Sequence, residues 1–260
     1  METIVLPIKN PSLFTGLRAP SKGILLFGPP GNGKTMIAKA IAFQCEGITF
    51  FNLSGGTLTS KHYGDSEKLI QALFAMASEK QPSVIFIDEI DSILGSRSSE
   101  EHEASRRIKT EFLVQFDGVG TVQSDRIVVI GGTNRPFDLD EAVLRRFTAR
   151  IFLPLPGLSA RTQMLENMLK TVNSKMSRTD IASIAKSMEG YSFADIKAAC
   201  QEAAMEPIRG FDYDKLTKMK KEEVPPVTCS HFKKALVKVK ASVSKKTMEE
   251  FEKWNKSHQK

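Results

Sequence analysis

The chain has 260 residues, of which 41% are hydrophobic and 26% are charged, with a net charge of +7, a composition ordinary for a globular protein. No apolar run approaches the roughly 18 residues that a membrane span needs, and the N-terminus lacks the basic stretch of a signal peptide. The three cysteines are odd in number and widely spaced, which favours reduced thiols of a cytoplasmic or nuclear protein over a disulfide set or a zinc site.

In the first part of the chain, short apolar or aromatic runs alternate with helical patterns, which predicts strands buried on both faces of a parallel sheet. The predicted strands are Ile24–Phe27, Thr49–Leu53, Val84–Ile87, Ile127–Ile130 and Arg150–Leu153. The predicted crossover helices are Lys34–Cys45, Glu67–Glu79 and Ala104–Phe116. In the last of these helices four apolar residues share one face, namely Ile108, Phe112, Leu113 and Phe116.

The strand signal stops near Pro156, and helical patterns follow. They cover Ala160–Lys170, Asp180–Met188, Phe193–Ala204 and His231–Val239. The polar, lysine-rich stretch Gly210–Pro226 is predicted to be a surface loop. We therefore predict an α/β domain over residues 1–155 and a smaller helical domain over residues 156–260.

The excess positive charge lies in the last fifth of the chain. Residues 1–208 contain 23 Lys and Arg and 23 Asp and Glu, whereas residues 209–260 contain 14 and 7. Such a segment suits either a solvated lysine-rich helix face or an acidic partner. Few aromatic residues lie among these lysines, which argues against specific nucleic-acid binding.

A glycine-rich motif lies between the first predicted strand and the first predicted helix. It reads Gly28-Pro29-Pro30-Gly31-Asn32-Gly33-Lys34-Thr35, followed by Met36. This context is typical of a phosphate-binding loop, in which backbone N–H groups and a helix N-terminus surround phosphate oxygens. Lys34 would reach the β- and γ-phosphates of a nucleoside triphosphate, and the Thr35 hydroxyl would hold Mg²⁺.

Two acids, Asp88 and Glu89, end the third predicted strand. Asp88 fits coordination of Mg²⁺, directly or through a water, and Glu89 fits the base that polarises an attacking water. Ligands of open α/β sheets bind at this edge, where strands end beside the phosphate loop. Asp91 follows closely, and we interpret it as the N-cap of a short helix, Ser92–Leu94.

Together with Gly132–Pro136 and Leu144–Phe147, these motifs have the order and spacing found in AAA ATPases, which the chain resembles. The resemblance implies a P-loop AAA domain with a five-stranded parallel sheet flanked by helices, plus a C-terminal helical lid, and it implies ATP and Mg²⁺ as cofactors. It also implies that Asn134 senses the γ-phosphate and positions water. Arg145 and Arg146 would be arginine fingers that act on the nucleotide of a neighbouring subunit.

These three residues also have plainer interpretations. Asn134 precedes Arg-Pro and could simply form a turn, and the two arginines could be ordinary surface charges.

Further segments are similar to the microtubule-severing branch of the family. They are Phe14–Pro20, Glu101–Leu113, Asp140–Phe147 and Pro207–Arg209. Two C-terminal segments, Ser242–Ser244 and Trp254–Lys256, are similar to the closing helix of the severing and ESCRT-disassembly branch. This similarity implies an ATP-dependent microtubule-severing enzyme that acts as a homo-hexamer, alone or with longer isoforms, and pulls acidic C-terminal tails of tubulin through a central pore. The expected location is the cytoplasm, on microtubules, with the nucleus as a second location.

The same resemblance places two pore loops in the chain. The first would contain Lys61, His62 and Tyr63, with either His62 or Tyr63 as the ring that grips substrate. The second would contribute His102 and Arg106. Tyr63 could alternatively be a core-capping aromatic residue.

Two other functions stay open at this point. The same ATPase machinery disassembles membrane-remodelling filaments of the ESCRT type in related proteins. Alternatively, the chain is a truncated microtubule-binding or regulatory subunit with little ATPase activity of its own, because relatives carry an upstream segment over the adenine that is not found before Met1.

Overall fold

The structure is a computed structural model. It describes residues 6, 10, 13–14, 16–18, 20–44, 47–58, 65–95, 103–119 and 126–258. Within the described part of the chain, no helix combines the length and the apolar character needed to cross a membrane.

Two compact units make up the chain. The first comprises the chain up to Gly28, Gly33–Leu153 and the chain from Trp254 onward, and the second comprises Pro29–Asn32 and Pro154–Lys253. The single boundary predicted at residue 155 therefore differs from the structure at the phosphate loop and at the C-terminus. The end of the last helix belongs to the first unit because Trp254 packs edge-on against Phe27, with ring centroids 4.7 Å apart.

A five-stranded parallel sheet forms the centre of the first unit. Its strands are β1 (Gly23–Phe27), β2 (Thr49–Ser54), β3 (Ser83–Asp88), β4 (Ile127–Thr133) and β5 (Ala149–Phe152). They are ordered β2-β3-β4-β1-β5, and every neighbouring pair is parallel. Every residue of β1 and β4 is buried, as the short apolar runs predicted.

The helices of the first unit connect these strands. They are α1 (Lys34–Gln44), α2 (Gly55–Leu58), α3 (Asp65–Glu79), α4 (Asp91–Leu94), α5 (Glu103–Gly118) and α6 (Glu141–Arg146). Phenylalanines of α5 lie in the core, where Phe112 meets Phe74 and Phe116 meets Phe147 at 5.7 and 5.4 Å between ring centroids. Three of the four residues of the apolar face predicted for this helix, Ile108, Phe112 and Phe116, are buried, and Leu113 is half-buried.

The strand register brings the predicted site residues to one edge of the sheet. Phe27 pairs with Thr133, and Ser54 pairs with Asp88. The phosphate loop and Asn134 follow directly after β1 and β4, and the acid pair consists of Asp88, the last residue of β3, and Glu89, which follows it. Because parallel strands end on the same side, all three groups lie at the carboxyl edge of the sheet.

The second unit is helical. Its helices are α7 (Leu158–Leu169), α8 (Arg178–Ser187), α9 (Phe193–Met205), α10 (Tyr213–Lys218), α11 (Cys229–Lys238) and α12 (Lys245–His258), the last of which ends in the first unit. Residues from several of these helices form one buried apolar cluster that includes Leu165, Ile184, Ile196 and Phe232. The five-stranded α/β architecture with a helical second part is confirmed.

One predicted loop was wrong. Gly210–Pro226 contains α10 and a 3₁₀ turn, Lys221–Glu223. Asp212 precedes the helix in an extended conformation, and Lys215 and Lys218 lie in its last turn, where their charge complements the helix dipole. The loop was predicted from the polar composition of the segment, which outweighed these helix signals.

Candidate nucleotide-binding site

The phosphate loop has a backbone that only glycine adopts readily. Gly28, Gly31 and Gly33 have φ angles of +145°, +76° and +79°. A Cβ atom on Gly28 would lie 2.3 Å from the carbonyl oxygen of Leu153, so no side chain fits there. The loop ends where α1 begins, and the backbone N–H groups of this turn and helix N-terminus suit an anionic ligand.

The other residues of the loop vary in burial. Pro29 is buried and Pro30 is exposed, and Met36 in the first turn of α1 is 70% exposed. Asn32 is buried and donates from Nδ2 to the carbonyl oxygen of Pro154 at 3.2 Å, while its Oδ1 is buried without a hydrogen-bond partner. Gly31 accepts a bond from the Ala194 N–H at 3.1 Å.

Lys34 is a buried cation, with only 6% of the residue exposed. Its Nζ donates to the carbonyl oxygen of Gly28 at 2.8 Å. Burial lowers the pKa of Lys34 to about 8, while the negative charges of Asp88 and Asp91 act in the opposite direction. The lysine is therefore held inside its own loop in an environment that disfavours its charge and that an anionic ligand would improve.

Thr35 and Asp88, the two predicted metal-binding residues, lie in direct contact. The Thr35 hydroxyl donates a hydrogen bond to Oδ2 of Asp88, and Oδ1 of Asp88 accepts from the backbone N–H of Glu89 at 3.0 Å. A hydroxyl and a carboxylate side by side are the oxygen donors that Mg²⁺ takes from proteins that also bind a nucleotide. The chemistry of this pair fits Mg²⁺.

Glu89 has a strained backbone. Its φ of +52° makes it the only residue other than glycine with a positive φ in the described part of the chain. Backbone hydrogen bonds flank this residue, because the Ile90 N–H donates to the Gly132 carbonyl and the Ser92 N–H donates to the Glu89 carbonyl, both at 3.0 Å. The Glu89 carbonyl also lies so close to Gly55 that a Cβ atom there would be 2.4 Å from it. Such strain persists only where the surroundings enforce it, and it is concentrated at functional sites.

The interpretation of Asp91 as an N-cap was wrong. Asp91 is the first residue of α4, whose N-cap position is Ile90 and which has no side-chain cap. Its carboxylate instead accepts a hydrogen bond of 2.6 Å from the hydroxyl of Thr133, which in turn accepts from the Arg135 N–H at 2.8 Å. Asp91 therefore joins the end of β3 to the end of β4, beside Asn134.

Asn134 follows β4 directly, at the same edge as the acids. Its Oδ1 atom is buried and has no hydrogen-bond partner within the described part of the chain. Buried polar atoms are nearly always paired, so an unpaired one at the sheet edge indicates a place for a ligand or an ordered water. This geometry favours the sensing role over the plain turn.

The structure separates the two arginines predicted as fingers. Arg146 donates from Nε and one terminal nitrogen to both carboxylate oxygens of Asp117, at 3.0 and 2.8 Å, and also to the Ala142 carbonyl. This bidentate contact raises the pKa of Arg146 and lowers the pKa of Asp117. Arg145 is 77% exposed and makes one longer contact, 3.4 Å to Glu141.

Of the predicted pore-loop residues, Lys61, His62, Tyr63 and His102 lie outside the described residues. Arg106 is exposed near the start of α5. It lines a groove together with one cationic, one neutral polar and three acidic residues, namely Arg107, Thr110, Glu67, Glu103 and Glu111. Arg106 thus lies in a surrounding of mixed charge.

The sequence interpretation missed three residues: Thr133, which bonds Asp91; Asp117, which pairs with Arg146; and Lys109 of α5. Lys109 is buried on α5 and contacts Asp140. The signal for it was present, because Lys109 precedes Phe112 by three residues and Phe116 by seven, which places a charge within the apolar stripe.

Family models match three consecutive parts of the chain. Residues 24–155 match the ATPase family associated with various cellular activities (AAA), residues 178–217 match the AAA+ lid domain, and residues 212–258 match the Vps4 C terminal oligomerisation domain. The sheet, the phosphate loop and the acid pair all lie in the first match. The chain belongs to the AAA family of ATPases.

Within that family the chain is similar to spastins. It is 52% identical over 260 residues to spastin from Naegleria gruberi and 50% identical over 255 residues to spastin from Homo sapiens. These alignments cover 99% and 98% of the chain but 50% and 41% of the relatives, so the chain spans half or less of their length.

A solved structure described as the FIGL-1 AAA domain in complex with ADP is also similar. It is 47% identical to this chain and has a TM-score of 0.91. The alignment covers 99% of this chain and 85% of the FIGL-1 chain. A second solved structure, described as the FIGL-1 AAA domain, has the same TM-score and is 48% identical.

Proposed function

We propose that the chain hydrolyses ATP at interfaces between identical subunits and uses the energy to sever microtubules. One observation supports the hydrolytic part above all others. That observation is the set of groups gathered at one edge of the sheet, beside the buried Lys34. They are the oxygen pair of Thr35 and Asp88, the strained Glu89 and the Asn134 Oδ1 atom, which has no partner among the described residues.

Each of these groups has one task in the proposed reaction. Lys34 and the loop N–H groups bind the phosphates, and Glu89 accepts the proton of the attacking water, which Asn134 orients through Oδ1. Thr35 and Asp88 would hold Mg²⁺, which when bound neutralises charge on the phosphate oxygens.

We assign the role of arginine finger to Arg145. Its guanidinium is exposed and has only a weak contact, so it can reach a nucleotide held by a neighbouring subunit. Arg146 is already engaged with Asp117 and would hold the end of α6 in place. A finger donated in trans makes hydrolysis a property of the assembly and not of one chain.

The match of residues 212–258 to an oligomerisation domain supports assembly, for which we propose a homo-hexamer. The spastin relatives support microtubules as the substrate, with tubulin C-terminal tails gripped by Lys61, His62 or Tyr63, His102 and Arg106. The basic C-terminal segment adds attraction for an acidic partner. A cytoplasmic, microtubule-associated location follows from this substrate.

The test is to measure the ATPase rate per subunit against protein concentration, together with microtubule severing. The rate should rise cooperatively with concentration, because each site needs a neighbour's Arg145. A flat rate near zero would favour the regulatory subunit instead. Severing should be lost on microtubules whose acidic tails have been removed, and unchanged severing would refute the tail-pulling proposal.

A second candidate function is disassembly of membrane-remodelling filaments. The match of the C-terminal residues to the Vps4 C terminal oligomerisation domain favours it. Pelleting the Glu89→Gln variant in the presence of ATP with either microtubules or such filaments separates the two, because a hydrolysis-deficient motor stays bound to its own substrate.

A further inference from the structure

The buried lysine of α5, Lys109, lies where three elements of the first unit meet. Only 8% of its side chain is exposed. Its Nζ donates to the carbonyl oxygen of Gly95 at 2.7 Å and lies 3.0 Å from a carboxylate oxygen of Asp140. Gly95 directly follows α4, and Asp140 directly precedes α6. One cation therefore joins the helix that follows the acid pair to the helix that carries the arginines.

Asp140 has a second task in the same place. Its other carboxylate oxygen accepts from the Ala142 N–H at 2.9 Å, so Asp140 is the N-cap of α6. Backbone contacts follow the same path, since Asp140 N–H donates to the Leu94 carbonyl at 3.4 Å. With six residues α6 is too short to be stable by itself, so its position depends on these attachments.

The far end of α6 is attached to α5 as well, through the Arg146–Asp117 pair. Lys109 and Asp117 are eight residues apart, which is about 12 Å along a helix. Thus α5 holds α6 at its start and at its end. Arg145 lies between these attachments, and among the described residues its side chain has only the exposed contact with Glu141.

We infer that Lys109 is a positioning residue for the arginine finger: by fixing Asp140 and the start of α6, it sets where Arg145 reaches the nucleotide of the next subunit. This inference rests on the proposed hydrolysis in trans. Its alternative is that Lys109 acts on its own subunit's nucleotide site, through Gly95 and α4.

Lys109→Met keeps the length of the side chain and removes the charge. We expect kcat of the assembled enzyme to fall 10- to 100-fold, which is the cost of misplacing a catalytic group by about 1 Å. The affinity of the variant's own site for nucleotide should stay unchanged. Lys80→Met, at an exposed lysine that follows α3, is the matched control and should leave kcat unchanged.

Mixing variants distinguishes a finger defect from a nucleotide-site defect. Lys34→Ala lacks a working nucleotide site but still offers a finger, whereas Arg145→Ala has a working site and no finger. If Lys109 positions the finger, Lys109→Met should regain activity when mixed with Lys34→Ala and should regain none with Arg145→Ala. Recovery with Arg145→Ala, recovery with neither partner, or an unimpaired Lys109→Met would each overturn the inference.

Two controls complete the experiment. Lys34→Ala mixed with Arg145→Ala must regain activity, and its failure would refute hydrolysis in trans itself, separately from the role of Lys109. Asp140→Asn keeps an N-cap residue and removes only the charge that Lys109 contacts. It should show the same pattern of mixing, and it replaces Lys109→Met as the test if that variant does not fold.

Discussion

Charged groups of the helical unit are paired within the fold, whereas several groups at the edge of the sheet are held in costly environments. In the helical unit, Asp180 completes a capping box with Ser177, and its pKa is lowered by those bonds. Glu202 accepts from Arg209 and Lys238, which lower its pKa to about 2. These groups have found their partners within the fold.

At the carboxyl edge of the sheet, by contrast, polar and charged groups are buried or held under strain. Lys34 is buried with a lowered pKa, Glu89 has a left-handed backbone, and Asn134 has an unpaired buried oxygen. Each arrangement is costly in the absence of ligand and is relieved or used when phosphate, water or a neighbour arrives. Substitutions there should therefore reduce turnover, whereas substitutions in the helical unit should reduce stability.

The largest effect is expected for the two arginines of α6. Arg145→Ala should lower kcat about 10³- to 10⁵-fold, as loss of an arginine finger does, with no change in melting temperature because the side chain is exposed. Arg146→Ala should lower the melting temperature, because it leaves Asp117 without its bidentate partner. Steady-state ATPase assays and thermal unfolding measure both. Equal losses of kcat at unchanged stability would contradict the separation of their roles.

The next effect concerns Glu89. Glu89→Gln should lower kcat about 10²- to 10⁴-fold and retain ATP binding, because only the proton acceptor is lost. Glu89→Gly should be equally inactive yet more stable by about 1 kcal/mol, since glycine adopts a φ of +52° without strain. Single-turnover kinetics and denaturant unfolding give the two numbers. A Glu89→Gln variant with near wild-type turnover would exclude this residue as the base.

Much of the fold was predictable because it depends on local patterns. Short buried runs such as Ile24–Phe27 predicted the ends of the strands to within three residues, and the loop motif predicted the strand–turn–helix around Gly28. Composition misled at Gly210–Pro226, where lysines at a helix C-terminus resemble loop residues.

The division of labour at the site was not predictable in the same way. Arg145 and Arg146 are adjacent and chemically identical in sequence, and only the position of Asp117 on another helix distinguishes them. The local sequence around Asp91 favoured an N-cap, but its carboxylate instead accepts a hydrogen bond from the hydroxyl of Thr133, 42 residues later. Tertiary contacts of this kind have no signature in a local window.

A smaller effect is the pH dependence of nucleotide binding. The pKa of Lys34 is lowered to about 8, so the lysine is charged below that pH and loses its charge as the pH rises. Because phosphate binds the charged form, affinity should be level below pH 8 and fall up to about tenfold per pH unit above it. Titration with a fluorescent nucleotide analogue between pH 6.5 and about 9.5 measures this slope. Lys34→Arg should remove this pH dependence of the affinity, since arginine stays charged. If the variant kept the slope, a group other than Lys34 would be responsible for it.

The smallest effect tests the helical unit. Ser177 is the N-cap of α8, and its hydroxyl accepts from the Asp180 N–H at 3.1 Å. Ser177→Ala should reduce the free energy of unfolding by about 1 kcal/mol, the usual cost of losing an N-cap. Ser187→Ala, at the other end of the same helix, removes a hydroxyl that bonds only the Ile184 carbonyl and should change stability by less than about 0.5 kcal/mol.

Neither serine variant should alter kcat at saturating ATP and protein concentration, because satisfied groups of the helical unit contribute to stability and not to the reaction. Chemical denaturation and ATPase assays on the same preparations give both quantities. A loss of turnover in Ser177→Ala that exceeds its loss of folded protein would mean that α8 takes part in the catalytic cycle. In that case the contrast between a strained sheet edge and a merely supportive helical unit would no longer hold.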